Sequence, residues 1–231
     1  MPTPPQVMVL ATFAPLVAAD WNNSIFDAYD EAITSLTATA DPFVISFWFE
    51  WTHSNDTNAS GGLGHTWDVS AYAPFYIMRV RYTFTFSELP NQVNEDFRWL
   101  CGFQGEPNVY ILRAGNHLCF GDVDATPSAQ ALVAGTTYQL EIYIRQNRDD
   151  PSVYVWQVYL DGELALEYLP YAGGYSIEDY WTGADFSVGQ GTGSFVIEGG
   201  AKTVTLTVGD VAWTIEDDKL ALGRWTMLAL L

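Results

Sequence analysis

Alternation of apolar and polar residues with a period of two runs through most of this chain, and it restricts the fold more than any other feature. In the stretch PFYIMRVRYTFTFSEL, Met78, Val80, Tyr82, Phe84 and Phe86 fall on one side and Arg79, Arg81, Thr83 and Thr85 on the other. TYQLEIYIRQ sets Tyr138, Leu140, Ile142 and Ile144 against Gln139, Glu141, Tyr143 and Arg145, and FVISFWFEW puts Phe43, Ile45, Phe47, Phe49 and Trp51 on one face. Successive strand side chains point to opposite faces, so these are half-buried antiparallel strands whose apolar side must pack on a second sheet.

Turn residues separate the strands at short, regular intervals: SNDTNASGGLG, SELPNQ, QGEPN, RAGN, NRDDP, LDGE, YAGG and IEGG. Such spacing specifies a sandwich rather than alternating strands and helices. Helical pattern is scarce, with a short piece near NSIFDAYDEA and a turn at SIEDYW as the best candidates. No linker, repeat or low-complexity tract divides the 231 residues, so 1–231 reads as one all-β domain, an antiparallel two-sheet β-sandwich with very little helix. The opening MPTPPQVMVLATFAPLVAAD lacks a basic leader and reads as a structural strand. The apolar RWTMLALL at the other end needs a partner, and QVMVLATFA is the obvious one, so the terminal strands are expected to pair.

The formal charge of -19 repels phosphates and anionic lipid, and the nine Lys and Arg residues form no basic run. Nucleic acid and membrane surfaces are therefore not expected partners, and no apolar run is long enough for a membrane-spanning helix. Asn22, Asn55 and Asn58 begin N-x-Ser/Thr triplets, which matter only in a secreted chain. Cys101 and Cys119 fall on the outer strands of a three-strand meander, FRWLCGF, NVYILRA and HLCFG. An intervening strand separates them by roughly 9–10 Å, too far for a disulfide. They are expected to be free and mostly buried. His53, His65 and His117 show no ligand spacing with each other or with the cysteines, so no metal and no cofactor is expected.

The segment from TTYQLEIYIRQNRDDPSVYVWQVYLDGELALEY to ADFSVGQG resembles the concanavalin A-like lectin/glucanase superfamily, especially laminin G and pentraxin-like domains. A strand, a polar turn, a strand ending in Asp161-Gly162, a short return strand and a later strand ending at Gly189 carry the likeness. The resemblance implies a jelly roll with paired terminal strands. It implies no single activity, because that superfamily includes sugar binders, adhesion modules, glycosidases and viral particle components.

A two-residue Asp161-Gly162 turn sets Leu160 opposite Glu163, Val158 opposite Ala165 and Trp156 opposite Glu167. Tyr154, Trp156, Val158, Leu160, Glu163, Ala165 and Glu167 then share one face, and Val155, Tyr159, Leu164, Leu166 and Tyr168 form the core face. An indole beside carboxylates suits a sugar ring. Catalysis by Glu163 and Glu167 is not expected: residues four apart on a strand have Cα atoms about 13 Å apart, against the roughly 5–9.5 Å separating a glycosidase carboxyl pair. The glucanases of the resembled superfamily place an Asp between two Glu, and here Ala165 stands there. Two loops are further ligand candidates. HSNDTNASGGLGHTWDVS offers Asp56, Asn58 and Trp67, and YAGGYSIEDYWTGAD offers Tyr175, Tyr180 and Trp181.

With no catalytic residues assigned, the expectation is a non-enzymatic structural and interaction protein. A viral or phage particle component, decorating a capsid or forming part of a tail or fibre, is the reading carried forward. Its partners are other subunits of the assembly and a glycan, and its location is the virion, with extracellular as the alternative. A carbohydrate-binding module is the second reading and a glycoside hydrolase the third.

Overall fold

The computed structural model describes residues 8–13, 22–25, 33–37, 43–51, 60–72, 77–89, 97–103, 109–112, 115–120, 127–146, 154–168, 184–192 and 200–217. These hold fourteen strands: β1 Met8–Phe13, β2 Asn22–Ile25, β3 Ile33–Thr37, β4 Phe43–Trp51, β5 Ser60–Trp67, β6 Ile77–Phe86, β7 Phe97–Phe103, β8 Val109–Leu112, β9 His117–Phe120, β10 Tyr138–Gln146, β11 Tyr154–Leu160, β12 Glu163–Tyr168, β13 Ala184–Thr192 and β14 Gly200–Asp217. One 3-10 turn, Ser70–Tyr72, is the sole helical piece among the described residues.

All pairings are antiparallel and form two sheets. The larger runs β12-β11-β10-β6-β14-β4-β3, with β1 also on β14, and the smaller runs β2-β5-β13-β7-β8-β9. β14 is 18 residues long because two neighbours share one of its edges: β4 takes 200–208 and β1 takes 213–217. The first described strand thus pairs with the last described one. RWTMLALL, the partner named from the sequence, lies outside the described residues.

The core lies between the sheets, where the alternation places it. Met78, Val80, Tyr82, Phe84 and Phe86 of β6, Leu140, Ile142 and Ile144 of β10, and Leu206, Val208, Trp213 and Ile215 of β14 are buried in one cluster with Leu100, Val109, Ile111 and Leu118 of the smaller sheet. Two contacts cross the sandwich. The Trp67 and Trp213 rings lie 4.1 Å apart, and the buried Tyr82 side chain lies beside the Cys101 thiol. Burying side chains of this size stabilises a fold by roughly 1.5–3 kcal/mol each.

Three local expectations are corrected. Asn23, Ser24 and Ile25, which open the piece read as helical, belong instead to strand β2 (Asn22–Ile25) on the edge of the smaller sheet. Ser60-Gly61-Gly62-Leu63-Gly64, read as turn, opens strand β5 and pairs with β13 along its length. Here sheet pairing on both sides overrides glycine's weak strand propensity. The β11–β12 hairpin does turn at Asp161-Gly162, both at positive φ (51° and 83°), the primed geometry that Asp-Gly favours. Leu160 faces Glu163 as expected, but a bulge at Ala165 shifts the register, so that Val158 meets Leu166 and Gln157 meets Glu167.

A second irregularity sits in β14. Asp210, at φ 54°, begins a bulge between Gly209 and Ala212, and Val208 and Val211 both reach the core as a result. Ala212, Thr214 and Glu216 are thereby aligned with the polar side of β6.

Cys101 on β7 and Cys119 on β9 are free and buried, with β8 between them. Burial pushes their ionisation from 9.0 up to about 12 and about 11 respectively. Neither thiol should react with an aromatic disulfide reagent at pH 8 in the native protein, and two should react in denaturant. Fast native labelling would show this core to be open. The unfolded chain loses these protons near pH 9 while the folded chain keeps them, so folding stability should be constant below about pH 8.5 and fall as pH rises beyond it. Urea midpoints across pH 7–11 check that direction.

Candidate functional site

The polar side of the larger sheet is where the fold collects chemistry. Residues paired across antiparallel strands share a face, so the registers can be followed across the sheet. One row reads Thr12, Thr214, Arg79, Tyr143, Gln157 and Glu167 across β1, β14, β6, β10, β11 and β12. The next reads Ala212, Arg81, Glu141, Tyr159 and Leu164. On the other side lie Glu216, Ile77, Arg145 and Val155.

Arg79 is the centre. It donates to Glu141 Oε2 from Nη2 at 2.6 Å and from Nε at 3.1 Å, and to Glu216 Oε1 from Nη1 at 3.5 Å. Its guanidinium lies 5.2 Å from the centroid of the Tyr143 ring. The Tyr143 hydroxyl also donates to Glu141 Oε2, at 3.2 Å, and the Thr214 hydroxyl donates to Glu216 Oε1 at 2.7 Å. Glu141 is 6% exposed and Glu216 is fully buried, while the Arg79 side chain retains 26% of its exposure. Two carboxylates are thus held in a poorly hydrated place by one cation. Removing such a counter-charge leaves buried charge uncompensated, which is far costlier than the pair is stabilising.

An apolar collar surrounds this group. Ile77, Tyr143 and Tyr159 form a small buried cluster with Leu164 packed against it, and the two tyrosine rings meet edge to face at 5.4 Å. Burial pushes the Tyr143 phenol well above its ordinary range, and Glu141 and Glu216 add to this while Arg79 opposes it. Tyr159 is raised too, mainly by burial. Burial works against the Arg79 charge, but Tyr143, Glu141 and Glu216 outweigh it and hold the guanidinium above its usual value. Further along the face, Arg145 donates to Gln157 Oε1 at 3.3 Å, and the Gln157 amide donates to Glu167.

The residues singled out from the sequence fall differently. Trp156 is in the core, 1% exposed, not on a wet platform. The cause is the β10 partner strand: Leu140, Ile142 and Ile144 face Leu160, Val158 and Trp156, and their apolar side decides which face is buried. Trp67 is likewise core, stacked on Trp213. Glu163 is exposed at the turn, one strand position from the polar face. Glu167 alone among them joins that face, brought there by the Ala165 bulge. Asp56, Asn58, Tyr175, Tyr180 and Trp181 lie outside the described residues.

Arg79, Glu141, Tyr143, Gln157 and Glu216 were missed. The signal was present in part: Arg79 and Arg81 on β6, and Glu141 and Tyr143 on β10, are polar-face positions of strands that read as central. What the sequence hid was register, because Glu216 and Arg79 are 137 positions apart. Nor did it show that folding gathers Arg79, Arg81 and Arg145, three of the nine cationic residues, on one face.

No protein-family model matches the chain, and no curated protein matches it in sequence. Solved structures do match in fold. An endo-β-1,4-glucuronan lyase from the fungus Trichoderma reesei is 11% identical with a TM-score of 0.56, covering 90% of this chain and 96% of that one. An alginate lyase in complex with alginate trisaccharide is 13% identical, TM-score 0.48, covering 92% and 100%. An alginate lyase of polysaccharide lyase family 7 is 14% identical, TM-score 0.46, covering 78% and 83%. The expectation of a non-enzymatic particle component is corrected by these findings, and so is the expectation that the chain is not an enzyme. It rested in part on the lack of a catalytic constellation, whereas the sheet holds Arg79, Glu141 and Tyr143 in contact, and a solved structure that matches 90% of this chain is a lyase. The fold itself is a jelly-roll β-sandwich.

Proposed function

We propose that the protein is a carbohydrate-processing enzyme that cleaves a polysaccharide laid across the polar face of its larger sheet, by elimination rather than hydrolysis. The observation that carries this reading is the hydrogen-bonded Arg79–Glu141–Tyr143 group, a proton donor and a carboxylate in contact beside a fixed cation. The glucuronan lyase of similar fold supplies the reaction class.

Elimination at a uronate needs three things: a base for the proton beside the carboxyl group, an acid for the departing glycosidic oxygen, and stabilisation of the charge that builds in between. Tyr143, held protonated by burial, suits the donor. Glu141, whose Oε2 it already touches, suits the acceptor. After the bond breaks, the proton taken by Glu141 passes back to the Tyr143 phenolate along their hydrogen bond, and the pair is reset without water entering the reaction. Arg79 positions both groups by anchoring Glu141 and packing on the Tyr143 ring. The glycan expected as a partner becomes the substrate, and an extracellular location suits such a polymer. The narrower kinship with laminin G and pentraxin-like domains is a proposal about the β10–β12 segment and adds no activity.

Incubation with glucuronan, alginate and neutral β-glucans tests the reading. Chain shortening accompanied by ultraviolet absorbance of the new conjugated double bond is expected on a polyuronate. Tyr143→Phe should lower kcat by at least about 100-fold while the protein stays folded, with stability reduced by no more than the roughly 1.5–3 kcal/mol of the lost hydrogen bond to Glu141. No depolymerisation of any polysaccharide, or a Tyr143→Phe variant at the wild-type rate, would overturn it. Arg79→Ala should instead destabilise the fold, by about 3–5 kcal/mol in urea unfolding, because it leaves Glu141 and Glu216 buried without their cation.

A further inference from the structure

We draw no further inference here: the strongest candidate, the uncharged surface turn 131–137 between β9 and β10 that leaves Val133 61% exposed, is an apolar patch for which nothing among the described residues shows what covers it.

Discussion

The placement of one guanidinium, that of Arg79, governs the polar side of the larger sheet. Glu141 and Glu216 come from strands on opposite sides of β6, and neither carboxylate is well hydrated. Without the cation between them the two would repel in a medium that screens charge weakly, and one would have to take up a proton or move out to water. With it, β10, β6 and β14 are linked across their polar face through Arg79. Such buried ion groups rarely add net stability compared with apolar packing.

Register is what makes this possible, and both bulges serve it. The β14 bulge at Asp210 brings Thr214 and Glu216 into line with Arg79 and Ile77. Without it, the polar residues of the 212–216 segment would be out of step with those of 205–207. The Ala165 bulge does the same for Glu167 at the sheet edge. Bulges that re-aim side chains near a site are a recurring device in antiparallel sheets.

The sequence disclosed the fold through its commonest signal and obscured the site for a related reason. Alternation on β6 and β10 identified the apolar face residue by residue, and the meander spacing around Cys101 and Cys119 identified one end of the smaller sheet. Both depend only on local order along the chain. The hairpin from 154 to 168 was read from a local rule as well, and it failed where tertiary context overruled the rule: β10 forces Trp156 inward, and the bulge then reverses the face of the residues after Ala165. The contact between Arg79 and Glu216 is wholly non-local, and no spacing rule could have found it. Trp67 and Trp156 drew attention as ligand contacts, but both are core. Large aromatic area is as useful for filling a sandwich as for binding a ring.

Net charge bears on how an acidic protein would handle the acidic polymer proposed as its substrate. A charge of -19 counts every ionisable residue equally, whereas a polymer approaching a sheet responds to charges within about a Debye length, roughly 8 Å in physiological salt. On the described part of the polar face Arg79, Arg81 and Arg145 stand against Glu141, Glu216 and Glu167, and this surface is near neutral. Because Arg79 is consumed by the two buried carboxylates, the balance of the exposed residues depends on Arg81, Arg145 and Glu167. That leaves a local excess of positive charge on an otherwise anionic molecule, confined to the strip beside Tyr143. An anionic polymer would meet less repulsion along this strip than the net charge alone implies, so the overall charge does not forbid such a substrate.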